Sequence, residues 1–134
     1  MELDWTIKFT DVAIVFAMLL SPFLAVHIQR RLDEAKAVKE RRMWIFRVLM
    51  ATRAARLSPN HVEALNSVPI EFYGNSESLH AITDKWKSYI DHMGATIGEG
   101  GMSQEVWNKT CNDLFFDLLH LMSKFLGYTE PTIK

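Results

Sequence analysis

The 134 residues carry 15 Lys and Arg against 16 Asp and Glu, so a net charge of −1 gives the chain no global pull toward nucleic acid or an anionic membrane surface. A hydrophobic content of 49% with 23% charge suits a packed core, and the length allows one domain of about 100 residues plus an appendage. The single Cys111 excludes an internal disulfide and fits a reducing compartment, and there is no zinc-ligand spacing, Gly-rich phosphate loop or G-x-S-x-G elbow.

The first predicted element lies in residues 1–29, an N-terminal segment with a single transmembrane helix. Residues Val12 to Ile28 contain no Asp, Glu, Lys or Arg. At about 1.5 Å per residue they reach roughly 26 Å, and Phe9 and Thr10 extend the stretch. Ten of these residues are Val, Ile, Leu or Phe. Each favours insertion by roughly 0.3–0.6 kcal/mol, which outweighs one His near the edge and one Ser. The segment before them is acid-rich (Glu2, Asp4, Asp11) and no A-x-A site follows, unlike a secretory signal peptide. Lys8 alone precedes the span, whereas Arg30, Arg31, Lys36, Lys39, Arg41 and Arg42 follow it. The positive-inside rule therefore predicts an outer N-terminus and a cytoplasmic C-terminal part. Pro22, mid-span, is expected to kink the helix or free a carbonyl for a neighbour. One span cannot enclose a channel, but a ring of copies can, with Ser21 and His27 as the polar pore-lining candidates and dewetting as the gate.

Residues 30–42 read as a charged helical connector of alternating sign. Residues 43–134 read as a cytoplasmic helical bundle. Met43, Trp44, Ile45, Phe46, Val48, Leu49 and Met50 cover nearly all sides of a helix, so burial on most faces is expected, by the bundle and by another copy. That helix is expected to stop at Arg56. Ser58 as N-cap and Pro59 at the first helical position start the next, to about Ser67, before Pro69. Pro69 to Gly74 fits either an extended strap or a further short helix. A third helix spans about Ser78 to Met93. Gly94 to Met102, with four glycines, is expected to be a mobile loop, and a fourth helix spans about Ser103 to Leu126 with Gly127 as its C-cap. No strand pattern appears, and the fold class is all-α.

The most suggestive polar pair is Arg56 and His61, on either side of Leu57-Ser58-Pro59-Asn60. His61 falls in the first turn of a helix, where free N–H groups and the dipole favour an anion. Arg53 shares a helix face with Arg56, and Arg53 and Asn60 are candidate supporting residues. The structural alternative ties Arg56 to a carboxylate such as Glu63 or Glu71. Asp113, Asp117 and His120 at i, i+4 and i+7 read as a solvated face, not a metal site, and no cofactor is expected.

Arg56 to His61 matches R-x4-H and resembles the HEPN superfamily of small helical bundles. That resemblance implies a dimeric, metal-independent ribonuclease in which the Arg binds phosphate and the His moves a proton. Leu57 stands where many HEPN nucleases carry a polar residue, so Arg56 and His61 are expected to be structural, and catalytic only if the protein is a nuclease. The run WIFRVLMATRAARLSPNHVEALNSVPIEFYG, with the later LLHLMSKFLGY, resembles an uncharacterised family of small bacterial proteins with an N-terminal membrane helix. The layout of span, charged connector and R-x4-H domain also resembles the membrane accessory proteins of type VI-B CRISPR systems. This implies a ring-shaped homo-oligomeric pore of the bacterial inner membrane in antiviral defence, with membrane lipid and an RNA-guided RNase system as partners and RNA as a contact. The alternatives are a membrane-tethered ribonuclease and a membrane-bound scaffold or sensor.

Overall fold

The computed structural model describes residues 8–98 and 100–128, in four helices: α1 (Phe9–Ala51), α2 (Pro59–Glu71), α3 (Glu77–Met93) and α4 (Gln104–Leu126). Among the described residues the one extended pairing is an isolated bridge between Ile97 and Met102. Glu2 and Asp4 of the acid-rich segment lie outside the described residues. The chain forms two compact units, Met1–Ala37 and Val38–Lys134.

In the first unit every residue from Lys8 to Lys36 is exposed. A helix closes its own backbone hydrogen bonds, so this stretch is helical without burying a single side chain. The helix is long and apolar enough to cross a membrane, and none of its apolar window is buried. Pro22 sits inside it without breaking it. Proline has no N–H, so the Met18 carbonyl loses its donor four residues on. Met18 and Pro22 line one shallow groove with Ile14, Ala17, Ser21 and Ala25.

In the second unit the last two turns of α1 pack with α2, α3 and α4. Ile45 and Leu49, one turn apart on α1, enter a core with Leu65, Val68 and Phe72 of the α2 segment, Ile82 and Tyr89 of α3, and Phe115, Leu118 and Met122 of α4. Trp44 and Met50 remain 44% and 39% exposed, so the bundle covers one side of this helix and not most of its faces.

The first helix ends at Ala51, five residues earlier than expected. Thr52 N–H still donates to Val48 O, but the bonds that follow, Ala55 N–H to Thr52 O and Ser58 N–H to Ala55 O, are three-residue turns that tighten the chain. Ser58 then caps α2, its Oγ accepting from His61 N–H at 3.3 Å, with Pro59 at the helix start.

α2 does not stop before Pro69; it continues to Glu71, which decides between strap and helix in favour of helix. Pro69 costs the Leu65 carbonyl its helical donor. The indole N–H of Trp86 on α3 takes that place at 2.8 Å. At the far end of α2, Arg42 Nε donates to Glu71 O, and its guanidinium lies 5.6 Å from the Phe72 ring centroid and 5.3 Å from that of Phe125. Arg41 Nε reaches the Glu71 carboxylate at 2.9 Å. Two adjacent arginines thus close the orphan carbonyl end of α2 and its last acid.

Ser76 and Ser103 cap α3 and α4, and Gly127 ends α4 with φ 82°, the left-handed conformation a C-cap favours. Within the glycine-rich segment the described residues are tied by backbone hydrogen bonds. Gly98 N–H donates to Met102 O and Met102 N–H to Thr96 O, each at 3.2 Å. A Cβ on Gly101 would lie 2.5 Å from Thr96 O, so the backbones meet there only because the residue is glycine. The turn brings His92 beside Trp107: the indole N–H donates to His92 O at 3.1 Å, and His92 Nε2 lies 3.0 Å from Trp107 O.

Candidate functional site

The R-x4-H residues meet around one aromatic ring, Phe115 of α4. The α1–α2 turn brings Arg56 to it, its guanidinium carbon 4.7 Å from the ring centroid. The first turn of α2 brings His61, ring centroids 5.5 Å apart, and α3 brings Tyr89, also at 5.5 Å. Arg56 and His61 therefore both pack on the same ring.

His61 is only 1% exposed. Its contacts settle its tautomer. Thr52 Oγ1 donates its one proton to Val48 O at 2.6 Å, so the 2.8 Å contact with His61 is Nδ1–H donating to Thr52 Oγ1. Nε2 is then a bare acceptor, buried and without a hydrogen-bond partner. Burial pushes the His61 pKa down, the Arg56 charge adds to that, and the contact with Thr52 opposes it. The expected anion at the N-terminus of α2 cannot be met by this imidazole, which faces inward.

Arg56 does not pair with Glu63 or Glu71. Glu71 is taken by Arg41, and Arg56 reaches across to α4 instead: its terminal nitrogens donate to Asn112 Oδ1 at 2.7 Å and to the Cys111 thiol at 3.7 Å, while Nε donates to Arg53 O at 3.3 Å. The Tyr89 hydroxyl lies beside Cys111 and Arg56, is fully buried, and completes a hydrogen bond with neither. Burial, reinforced by the Cys111 thiol, pushes its pKa up to about 12.

The other sequence candidates scatter. Arg53 is exposed and lines a cleft with Arg56, whereas Asn60 is exposed and outside that cleft. Ser21 lines the Pro22 groove, and His27 lines another with Phe23, Val26 and Arg30. Six residues apart, Ser21 and His27 stand roughly 120° from each other around the helix, so one face does not present both. Among the described residues no group of His, Cys, Asp and Glu has the geometry to hold a metal, and Asp117 pairs with Lys85 at 3.1 Å.

Sequence reasoning missed Thr52, Tyr89, Cys111, Asn112 and Phe115 as partners of the pair. They come from three separate segments, the α1–α2 turn, α3 and α4, and no local spacing connects these to Arg56 and His61. The Trp86–Leu65 link alone had a signal, because a proline inside a helix always leaves a carbonyl that some donor must meet.

As packed, Arg56 and His61 tie the α1–α2 turn to α4, a structural arrangement in which neither imidazole nitrogen is open to a substrate. No curated protein and no solved structure matches the chain. A family model matches residues 7–133, nearly the whole chain, and the protein belongs to that family, DUF6680, a family of unknown function.

Proposed function

We propose that this is a single-pass protein of the bacterial inner membrane that assembles as a ring-shaped homo-oligomer and forms or gates a pore, with its N-terminus outside and its helical bundle in the cytoplasm. One observation carries the reading. The second unit has its own core, while the apolar stretch of α1 from Val12 to Ile28 is exposed throughout among the described residues. Lipid is the solvent that such a surface fits. Assembly draws support from Trp44 and Met50, left exposed beside the buried Ile45 and Leu49. It draws further support from the Met18 carbonyl freed by Pro22, next to Ser21 and the small Ala17 and Ala25 on one groove. Small residues let helices approach closely in a bilayer, and a carbonyl without its helical donor needs a polar neighbour there.

The likeness of the layout to type VI-B accessory proteins gives the pore its setting, antiviral defence beside an RNA-guided RNase. The HEPN-like motif then serves as a structural joint. A tethered ribonuclease requires His61 at a phosphodiester, and His61 is only 1% exposed.

The test is dye release from liposomes carrying the full-length protein, with a version lacking residues 1–29 as control. Release is expected from the full chain alone. A monodisperse monomer in mild detergent, or intact vesicles around a protein shown to be inserted, would overturn the pore.

A further inference from the structure

A cleft of about 530 Å³ opens between the α1–α2 turn, α3 and α4, within the size range of small-molecule sites. One wall is basic and rich in donors. Arg53 is exposed, and its guanidinium has no carboxylate beside it in the cleft. Arg56 spends three of its five N–H groups on Arg53 O, Cys111 and Asn112, leaving two.

The two asparagines add to this. The Asn112 carbonyl is occupied by Arg56 and the Asn108 carbonyl by Gln104 at 3.1 Å, so each leaves its NH₂ as the group still to be satisfied. No Asp or Glu lines the cleft. Apolar and aromatic side chains, Leu57, Met93 and Trp107, also line it. Tyr89 lines it as well, its hydroxyl fully buried and without a hydrogen-bond partner. A buried hydroxyl left unsatisfied is costly, and a ligand that supplies an acceptor removes that cost.

We propose that this cleft binds a small organic phosphate whose other half is apolar or aromatic, of the nucleoside monophosphate kind. The phosphate sits between Arg53 and the free edge of Arg56, where the guanidinium fork matches its oxygens. The asparagine amides and the Tyr89 hydroxyl complete its donors, and the ring rests on Trp107 and Met93. His61 takes no part, since it is buried and does not line the cleft. The site is independent of the pore: it belongs wholly to the second unit and stands or falls whatever the first unit does.

The test is calorimetric titration of the full-length protein in mild detergent with adenosine 5′-monophosphate, adenosine and inorganic phosphate. The monophosphate is expected to saturate one site per chain. Adenosine is expected to bind at least about tenfold more weakly, and inorganic phosphate to compete. Arg53→Gln should lower the affinity about tenfold without moving the melting temperature, because its side chain is exposed. Tyr89→Phe should also weaken binding while leaving stability equal or higher, which a purely structural tyrosine would not do. No saturable heat up to about 10 mM monophosphate would overturn the proposal. So would an affinity unchanged in Arg53→Gln, or binding of an RNA strand without binding of the mononucleotide.

Discussion

Pro22 and Pro69 each stand inside a helix, and each deprives the carbonyl four residues earlier of its donor. In the bundle the gap at Leu65 is filled by the Trp86 indole from a neighbouring helix. In the N-terminal unit the gap at Met18 sits among exposed apolar side chains, on a helix that buries none of its residues before Ala37. The apolar side chains tell the same story, since Ile45 and Leu49 are buried in the bundle core while Val12 to Ile28 are exposed among the described residues. At Pro69 the bundle thus supplies the missing donor from its own chain, whereas the span leaves both a carbonyl and a long apolar surface exposed. That difference is the physical ground for reading the first unit as membrane-embedded and assembling.

The largest expected effect strikes the bundle. Phe115 is fully buried and packs against His61, Tyr89 and Arg56. Phe115→Ala should cost about 3–5 kcal/mol in urea unfolding of the bundle, as a large buried ring lost from a packed core. The helicity of the N-terminal segment in detergent should survive it, and joint loss of both would break the distinction between the two units.

A smaller effect sharpens the proline comparison. Trp86→Phe leaves the Leu65 carbonyl without a donor and should destabilise by about 1–3 kcal/mol. Adding Pro69→Ala restores a backbone N–H to that carbonyl and should recover most of the loss, a coupling that a double-mutant cycle reads directly. Pro22→Ala should leave bundle stability untouched and alter liposome release alone.

The smallest effect is a pH dependence. The folded His61 pKa lies below its unfolded value of 6.5, so the unfolded chain takes up the proton first as the pH falls. His61 therefore contributes fully above the unfolded value, and its contribution declines as the pH drops below it toward the lowered folded value. Urea midpoints compared at about pH 7.5 and 5.5 should show this decline, and His61→Gln should remove its share.

Much of the fold was legible locally. The Ser58 cap, the glycine at 127 and the spans expected for the third and fourth helices place three helix starts and one end close to where they lie. The legible part of the site was the R-x4-H pair itself, Arg56 and His61. The partners were not legible. Glu71, a natural mate for Arg56 by charge, is held by Arg41 from thirty residues upstream, and Arg56 turns to Asn112 fifty-six residues downstream. The end of α1 was also misplaced, because no proline or glycine marks Ala51, and the turns from Thr52 to Ser58 form where the helix meets the rest of the bundle.

By itself the sequence determined that the chain is helical, that one stretch is apolar enough to cross a membrane, and where the caps and prolines fall. These are properties of neighbours a few residues apart, set by backbone sterics, side-chain periodicity and short-range hydrogen bonds. Only the tertiary structure decided that α2 continues through Pro69, that His61 faces inward while Arg53 and Arg56 line a cleft, and that Tyr89 is left with an unmet hydroxyl. Each depends on which distant side chain arrives to fill a hydrogen bond or a gap, and that choice is made by packing helices around a common core, not by any spacing along the chain.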